Sequence, residues 1–320
     1  MSLHHAASIP PLVLAPHAAA ALLRTDAPPR FVDASWFLNA PGAAPRSAPA
    51  EFRAGPRIPG SVFWDVNEIA TRGPAVRNLP HMMPSAAQFA EAARSLGIAR
   101  SSHVIVYDRL GVFSAPRTVF TFRAFGHPHV SLLDGGLPAW LAADLPVEHG
   151  EPHTPPALPE SDYPTPELRP GWVRSFDEMR ANVTAAHPQV VLDARPAARF
   201  AGTTPEPRPG MAAGHIPGAR SLPFASLLQS HGDYSAFAPQ HELWKTVDRV
   251  LADAGGIERL RHDASARDAV GASLTCGSGM TAAIVWLALQ QLGIDAGIYD
   301  ESWMGWGARA AAGEAPVERD

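Results

Sequence analysis

Short apolar runs alternate with helical periodicity along the chain. Residues 104–107, 130–133, 190–192, 270–275 and 294–299 read as strands, although Gly271 weakens the fourth of them. The helices between them have recognisable ends. Pro84-Ser85-Ala86-Ala87-Gln88 is a capping box opening a helix that closes at Leu96-Gly97, and Ser175-Phe176-Asp177-Glu178 is a second capping box. Residues 115–125 form a predicted helix stopped by Gly126, residues 241–254 an amphipathic helix, and residues 281–292 a helix closed by Gly293. Strand–helix alternation in each half predicts an α/β fold, with two domains that are each a mainly parallel sheet flanked by helices.

The pattern repeats once, at an offset of roughly 160 residues, which is domain-sized rather than a solenoid period. Phe31-Val32-Asp33-Ala34-Ser35 is echoed by Val191-Leu192-Asp193-Ala194-Arg195, and Arg57-Ile58-Pro59-Gly60-Ser61 by His215-Ile216-Pro217-Gly218-Ala219. Val106-Tyr107-Asp108 corresponds to Leu274-Thr275-Cys276, and the stretch Leu133 to Trp140 to the stretch Tyr299 to Trp306. Matched anchors in the same order indicate internal duplication. Between the halves, residues 147–170 contain seven prolines, predicting a stiff, extended linker rather than a packed element. The expected organisation is a first domain over residues 10–146, a linker over 147–171 and a second domain over 172–320. The second half has extra residues near 259–269, read as a surface insertion without chemistry.

Composition narrows the function classes. The chain has 320 residues, 46% hydrophobic and 18% charged, enough for two full cores. A net charge of −5 gives no reason to expect nucleic acid or an anionic membrane as a partner. Residues 11–23 are apolar but lack a basic start and contain Pro16 and His17, so they predict a loop entering a first helix, not a signal peptide. No run is long enough to span a bilayer. One cysteine excludes an intramolecular disulfide and any multi-cysteine metal site, and fits a reducing cytoplasm. His4, His5, His127 and His129 have no ligand spacing to a second donor, so no metal is expected.

That cysteine, Cys276, stands in Leu274-Thr275-Cys276-Gly277-Ser278-Gly279-Met280-Thr281, between a predicted strand and a helix N-terminus. Gly277 and Gly279 open backbone conformations closed to other residues, so successive N–H groups are expected to point at one spot. Those donors and the positive end of the helix dipole would stabilise a thiolate and lower its pKa. The plainer alternative is a buried, inert thiol. A phosphatase-type loop requires an arginine six positions after the cysteine, where this chain has Ala282. The first half has Asp108 at the equivalent position; a carboxylate cannot carry sulfur covalently, so that half is expected to be a structural partner forming one wall of the site.

The set of motifs resembles the tandem rhodanese-domain sulfurtransferases over nearly the whole chain, from about Phe31 to Gly307. The first half contributes Asp33-Ala34-Ser35-Trp36, Asn78-Leu79-Pro80-His81-Met82, Phe113-Ser114-Ala115-Pro116-Arg117 and Leu133-Asp134-Gly135-Gly136. The second contributes Arg199-Phe200, Pro205-Glu206-Pro207-Arg208, Gly214-His215-Ile216-Pro217-Gly218 and the Cys276 loop. Within that family the uncharged Cys-Gly-Ser-Gly loop is similar to the mercaptopyruvate branch, whereas thiosulfate-specific members commonly place basic residues after the cysteine. The resemblance implies sulfur transfer from 3-mercaptopyruvate through a Cys276 persulfide, with no other cofactor, to thioredoxin, a small thiol or cyanide. It implies that Arg199 and Arg208 bind the 2-oxo acid, and that Gly277, Gly279, Met280 and Thr281 line the substrate and outer sulfur.

The resemblance further implies a proton relay of Ser278 with His81, for which loop-shaping and interdomain packing are the alternative. Two positions depart from the family. Asn67 replaces an acid that would orient His81, leaving Asp65 as a possible substitute, and Glu301 replaces a glycine on a turn at the rim of the site. Trp303 and Trp306 read as packing residues. The rival functions are a thiosulfate sulfurtransferase and a non-catalytic persulfide carrier.

Overall fold

Val104-Ile105-Val106-Tyr107 is apolar at every position because both faces of its strand are covered. Val104 and Val106 join a core beneath the helices Ala86–Ser95 and Ala115–Ala124, while Ile105 and Tyr107 join a second one with Leu14, Ala19, Leu137 and Trp140. This is the mark of a parallel sheet flanked by helices on both sides. The computed structural model describes residues 9–39, 44–264 and 270–319. The first half supplies β1 (Val13–Leu14), β2 (Arg30–Asp33), β3 (Val62–Phe63), β4 (Val104–Tyr107) and β5 (Val130–Leu133). They pair in parallel in the order β1-β5-β4-β2-β3.

The second half repeats the plan. It supplies β6 (Val173–Arg174), β7 (Val190–Asp193), β8 (Arg220–Ser221), a separate antiparallel hairpin of β9 (Leu228–Ser230) and β10 (Ser235–Phe237), then β11 (Ala272–Thr275) and β12 (Ala296–Tyr299). Its sheet runs β6-β12-β11-β7-β8, all parallel. Position for position the two orders are the same, so the duplication read from the anchors is a duplication of topology. Both predicted capping boxes are present, at Ser85/Gln88 and Ser175/Glu178.

The halves meet through equivalent elements. The helix Ala115–Ala124, which follows the Asp108 loop, packs on the helix Ala282–Gln291, which follows the Cys276 loop. Residues 282–289 of the latter are all buried, so this helix has no polar face to offer to water. Phe120 and Trp286 meet edge to face at 5.2 Å, and Trp172 lies 5.5 Å from Trp286. Fully burying each such ring contributes on the order of 2 kcal/mol. The two loops are thereby brought to the carboxyl ends of their sheets at a common seam, the usual ligand position in α/β folds.

Two expectations are corrected. The proline-rich stretch is not an unpacked spacer. Tyr163 is completely buried, with its ring 5.5 Å from Phe89, its hydroxyl 3.0 Å from His127 Nδ1 and its carbonyl accepting from Arg94. Arg100 N–H also donates to the Asp162 carbonyl, and Leu158 N–H to that of Arg94. The prolines keep the backbone extended while one aromatic side chain anchors it to the first domain. The presumed surface insertion also begins inside a packed helix, Gly256–Asp263, whose Ile257 and Leu260 are buried. There Gly271 is needed for space, since a Cβ would lie 2.3 Å from the Leu260 carbonyl oxygen. Residues 265–269 of that stretch, like His4 and His5, lie outside the described residues.

Tyr163→Ala is expected to cost about 3 kcal/mol and lower the thermal midpoint by several degrees, whereas Tyr163→Phe costs about 1 kcal/mol through the lost His127 contact. Thermal unfolding followed by circular dichroism measures both. An alanine variant as stable as the parent would show that the linker is not anchored here.

Candidate active site

Cys276 is the first residue beyond β11 and is 1% exposed. Its turn is tied down on the carbonyl side. The Cys276 and Gly277 carbonyls accept from Trp303 N–H at 2.9 Å and Met304 N–H at 3.0 Å, in the first turn of the helix Ser302–Ala311. Cys276 N–H donates to Ser302 Oγ at 3.3 Å. Among the described residues, the N–H groups of Gly277, Ser278, Gly279, Met280 and Thr281 meet no acceptor within the protein. Only Gly279 uses a left-handed conformation, at φ 81°. Gly277 has no positive φ, and its α-carbon faces Arg199, whose Nη2 would lie 3.5 Å from a Cβ there. Of the two glycines, Gly279 alone supplies a left-handed backbone.

The first domain shows what such a loop does with its donors. Asp108, in the position of Cys276, is buried and accepts the N–H groups of Leu110, Phe113, Ser114 and Ala115, each at 2.9 Å. Burial raises its pKa and the four N–H donors oppose that rise. A carboxylate of the chain itself fills the anion-binding place of the first loop. In the second loop a thiol stands there, and among the described residues the loop amides have no acceptor within the protein.

The first domain also reaches the Cys276 loop directly. His81 Nδ1 lies 3.0 Å from Ser278 Oγ, and His81 takes a left-handed conformation at φ 60°. Its ring stands edge-on to Trp36 at 4.6 Å. Burial, followed by the positive charges of Arg117 and Arg208, holds its pKa down at about 3, so the imidazole is neutral at pH 7. Asp65 does not substitute for the missing acid. Its carboxylate caps the helix Val66–Ile69, accepting from Asn67 and Glu68 N–H. Asn67 shares with His81, Glu68 and Arg72 the wall of a cavity of about 460 Å³.

Arginines gather on the other side. Arg199 donates through Nη2 to Glu206 Oε2, and the same carboxylate accepts from the buried Arg195 at 2.8 Å. Arg208 is half-buried, with Nη1 against Met304 Sδ. Its pKa is lowered by burial and then by the charge of Arg199, which places the two guanidiniums within each other's field. The structure thus brings together Cys276, Ser278, His81, Arg199 and Arg208. Met280 is placed differently from the expectation, because its side chain is 3% exposed and belongs to the apolar core, leaving only its backbone to the loop. The Thr281 side chain makes no capping hydrogen bond.

Glu301 does lie on a turn, but its carboxylate turns away to pair with Arg309, through Oε2 to Nη1 and through Oε1 to Nη2 at 3.1 Å. It braces the last helix. Trp303 and Trp306 are fully buried, and their indole N–H groups donate to Ala212 and Pro316 carbonyls. Sequence reasoning gave no role to Glu206, Arg195, Arg117 or Asp300. For Arg117 there was a signal, since it is a lone charge in the first turns of a helix that is otherwise nearly all apolar or hydroxylic.

A duplicated parallel sheet with one thiol-bearing and one carboxylate-filled loop defines a two-domain protein of the rhodanese type. The rhodanese-like domain family matches residues 27–143 and 175–309, and the chain belongs to that family. The mouse 3-mercaptopyruvate sulfurtransferase is 38% identical over 290 residues, covering 90% of this chain and 88% of that one. The corresponding enzyme of Escherichia coli K12 is 37% identical over 282 residues, covering 88% and 89%. Among solved structures, E. coli SseA, described as a 3-mercaptopyruvate sulfotransferase, superposes with a TM-score of 0.70 at 30% identity, covering 92% of this chain and 99% of its own.

The neutral state of His81 has a consequence for acid stability. The unfolded chain takes up a proton near pH 6.5 and the folded ring resists it down to about 3, so stability falls as pH drops between those values. Denaturant midpoints at pH 7 and pH 4.5 are expected to show His81→Gln losing roughly 2–3 kcal/mol less than the parent over that interval. Equal losses in both proteins would show that His81 titrates normally.

Proposed function

We propose that the protein is a sulfurtransferase that takes sulfur from 3-mercaptopyruvate and passes it, through a persulfide on Cys276, to an acceptor nucleophile. The observation that carries this reading is the pairing of an uncharged, amide-rich loop at Cys276 with Arg199 and Arg208 beside it. The loop offers dipoles to a singly charged sulfur. The arginines offer a planar fork to the carboxylate and keto oxygens of a 2-oxo acid.

In the first half-reaction the Cys276 thiolate attacks the sulfur of the donor. The carbon–sulfur bond breaks, its electron pair leaves on carbon as the enolate of pyruvate, and the sulfur remains on Cys276 as the persulfide. Arg199 and Arg208 stabilise the enolate oxygen and the carboxylate. Solvent or the donor thiol supplies the proton that turns the enolate into pyruvate. Ser278, held by neutral His81, stands where it can accept or return the donor thiol proton. Neutral His81 can accept the Ser278 hydrogen bond through a ring lone pair and so orient the hydroxyl, while a pKa held down at about 3 makes it a weak base and leaves the proton to pass on to solvent. The loop amides then hold the terminal sulfur until a second nucleophile takes it. A thiol such as that of thioredoxin, a small thiol or cyanide has the required chemistry. The persulfide itself is the carrier between the half-reactions, and a reducing compartment such as the cytoplasm suits a lone reactive thiol.

Thiosulfate is the second donor to consider, since two plant relatives 33–34% identical to this chain are named thiosulfate/3-mercaptopyruvate sulfurtransferases. Its sulfonate would have to use the same arginines. The two donors are separated by Arg208→Ala, which is expected to raise KM for 3-mercaptopyruvate by about tenfold to a hundredfold and to change KM for thiosulfate far less. Equal changes for both donors would remove the 2-oxo acid assignment. Cys276→Ser is expected to abolish turnover with either donor. Mass spectrometry of the parent after donor alone is expected to show one added sulfur. No added sulfur from any small donor would leave the chain a carrier loaded by another protein.

A further inference from the structure

We infer that Arg117, contributed by the first domain, is a positioning residue of the thiol site: its guanidinium fixes His81 against Ser278 and braces the turn that holds Cys276. This rests on the sulfur-transfer reading above. The contacts form a closed frame. Arg117 Nη2 donates to the His81 carbonyl at 2.8 Å and to Asp300 Oδ1 at 2.6 Å. Asp300 Oδ2 in turn accepts from Met83 N–H at 2.9 Å. The segment carrying His81 is therefore pinned on both sides, at its own carbonyl and two residues on, which secures the left-handed backbone that His81 adopts.

The frame continues into the second domain. Asp300 lies two residues before Ser302, whose Oγ receives Cys276 N–H, and three before Trp303, whose N–H donates to the Cys276 carbonyl. The loop itself crosses over the pair. A Cβ on Gly279 would stand 3.1 Å from Arg117 Nη1 and 3.4 Å from the Asp300 carbonyl oxygen. Arg117 is 2% exposed, and its Nη1 is buried without a hydrogen-bond partner. A guanidinium that served only as domain glue would satisfy its donors; this one keeps a donor beside the cysteine loop.

Arg117 also belongs to the electrostatic setting of His81. The charged and titratable groups around that ring are Arg117 with its partner Asp300, Arg208 from the opposite wall, the Ser278 hydroxyl, and the Glu68–Arg72 pair at 3.0 Å lining the neighbouring cavity. Removing the Arg117 charge makes a proton on His81 easier to hold, and removing its hydrogen bonds frees the segment to move. The Ser278–His81 contact weakens through the freed segment, because the ring stays neutral near pH 7 even with its pKa raised a unit from about 3, while the arginines that hold the 2-oxo acid are untouched.

The test compares Arg117→Gln, Arg117→Lys and Asp300→Asn with the parent. Arg117→Gln is expected to lower kcat for 3-mercaptopyruvate by about tenfold to a hundredfold while KM changes less than about threefold. Arg117→Lys, which keeps the charge without the fork, should recover part of kcat. The imidazole signals of His81, followed by NMR against pH, should titrate at least about one unit higher in Arg117→Gln than in the parent. If Arg117→Gln does not fold, Asp300→Asn carries the test, because it retains an acceptor for Met83 and is expected to show the same kcat loss.

An unmoved His81 titration, with kcat either within twofold of the parent or lost only in step with the thermal midpoint, would overturn the inference. Alkylation of Cys276 by iodoacetamide across pH supplies a readout that needs no donor. A parent that fails to turn over 3-mercaptopyruvate, with Arg117→Gln still shifting the His81 titration and the alkylation rate, would refute the substrate reading and leave the positioning role standing.

Discussion

The contact on which the architecture depends is the burial of one helix against its own duplicate. The helices Ala115–Ala124 and Ala282–Gln291 arise at equivalent points of two equal sheets, and each presents an apolar surface to the other. Exposing that surface would leave Phe120, Trp172 and Trp286 in water, a loss of several kcal/mol at about 2 kcal/mol per ring. Each helix is also the continuation of a loop that gathers backbone donors. Packing the pair therefore does more than join two domains. It fixes a first-domain histidine within hydrogen-bond distance of a second-domain serine.

The two loops illustrate how duplication separates scaffold from chemistry. In one, Asp108 satisfies four amides and produces a rigid, self-contained turn. In the other, among the described residues, the loop amides have no such internal partner and the residue in that place is a thiol. The same backbone logic serves stability in the first copy and, on the proposed reading, sulfur transfer in the second. Charge follows the same division. Arg195 and Arg199 share the carboxylate of Glu206, which keeps a guanidinium beside Gly277 of the Cys276 loop with its charge paired.

Much of this was legible along the chain because the signals are local. Apolar runs of four residues, capping boxes and glycine stops mark elements whose ends depend on near neighbours, and the repeated anchors exposed the duplication before any sheet was drawn. The Cys276 turn was legible for the same reason. What escaped depends on residues distant in sequence. Arg117 and Asp300 are 183 positions apart, and nothing near either residue announces the other. Tyr163 was hidden by composition, since seven prolines describe the backbone of the stretch but not the one ring that docks it. Glu301 was read from its place in a motif, whereas its partner, Arg309, is set by the helix that follows. The pairing of His81 with Ser278 was available only through resemblance, because 197 residues separate them.

The solitary cysteine sets the stoichiometry of the chain. These 320 residues contain no second thiol, so nothing within them can displace the terminal sulfur from Cys276 by closing a disulfide. On the proposed persulfide route, a charged chain would hold a single sulfur equivalent until an outside molecule arrives. On that route the waiting time between half-reactions would be governed by encounter with that molecule. An oxidised Cys276 likewise has no second thiol in these residues to rescue it as an intramolecular disulfide.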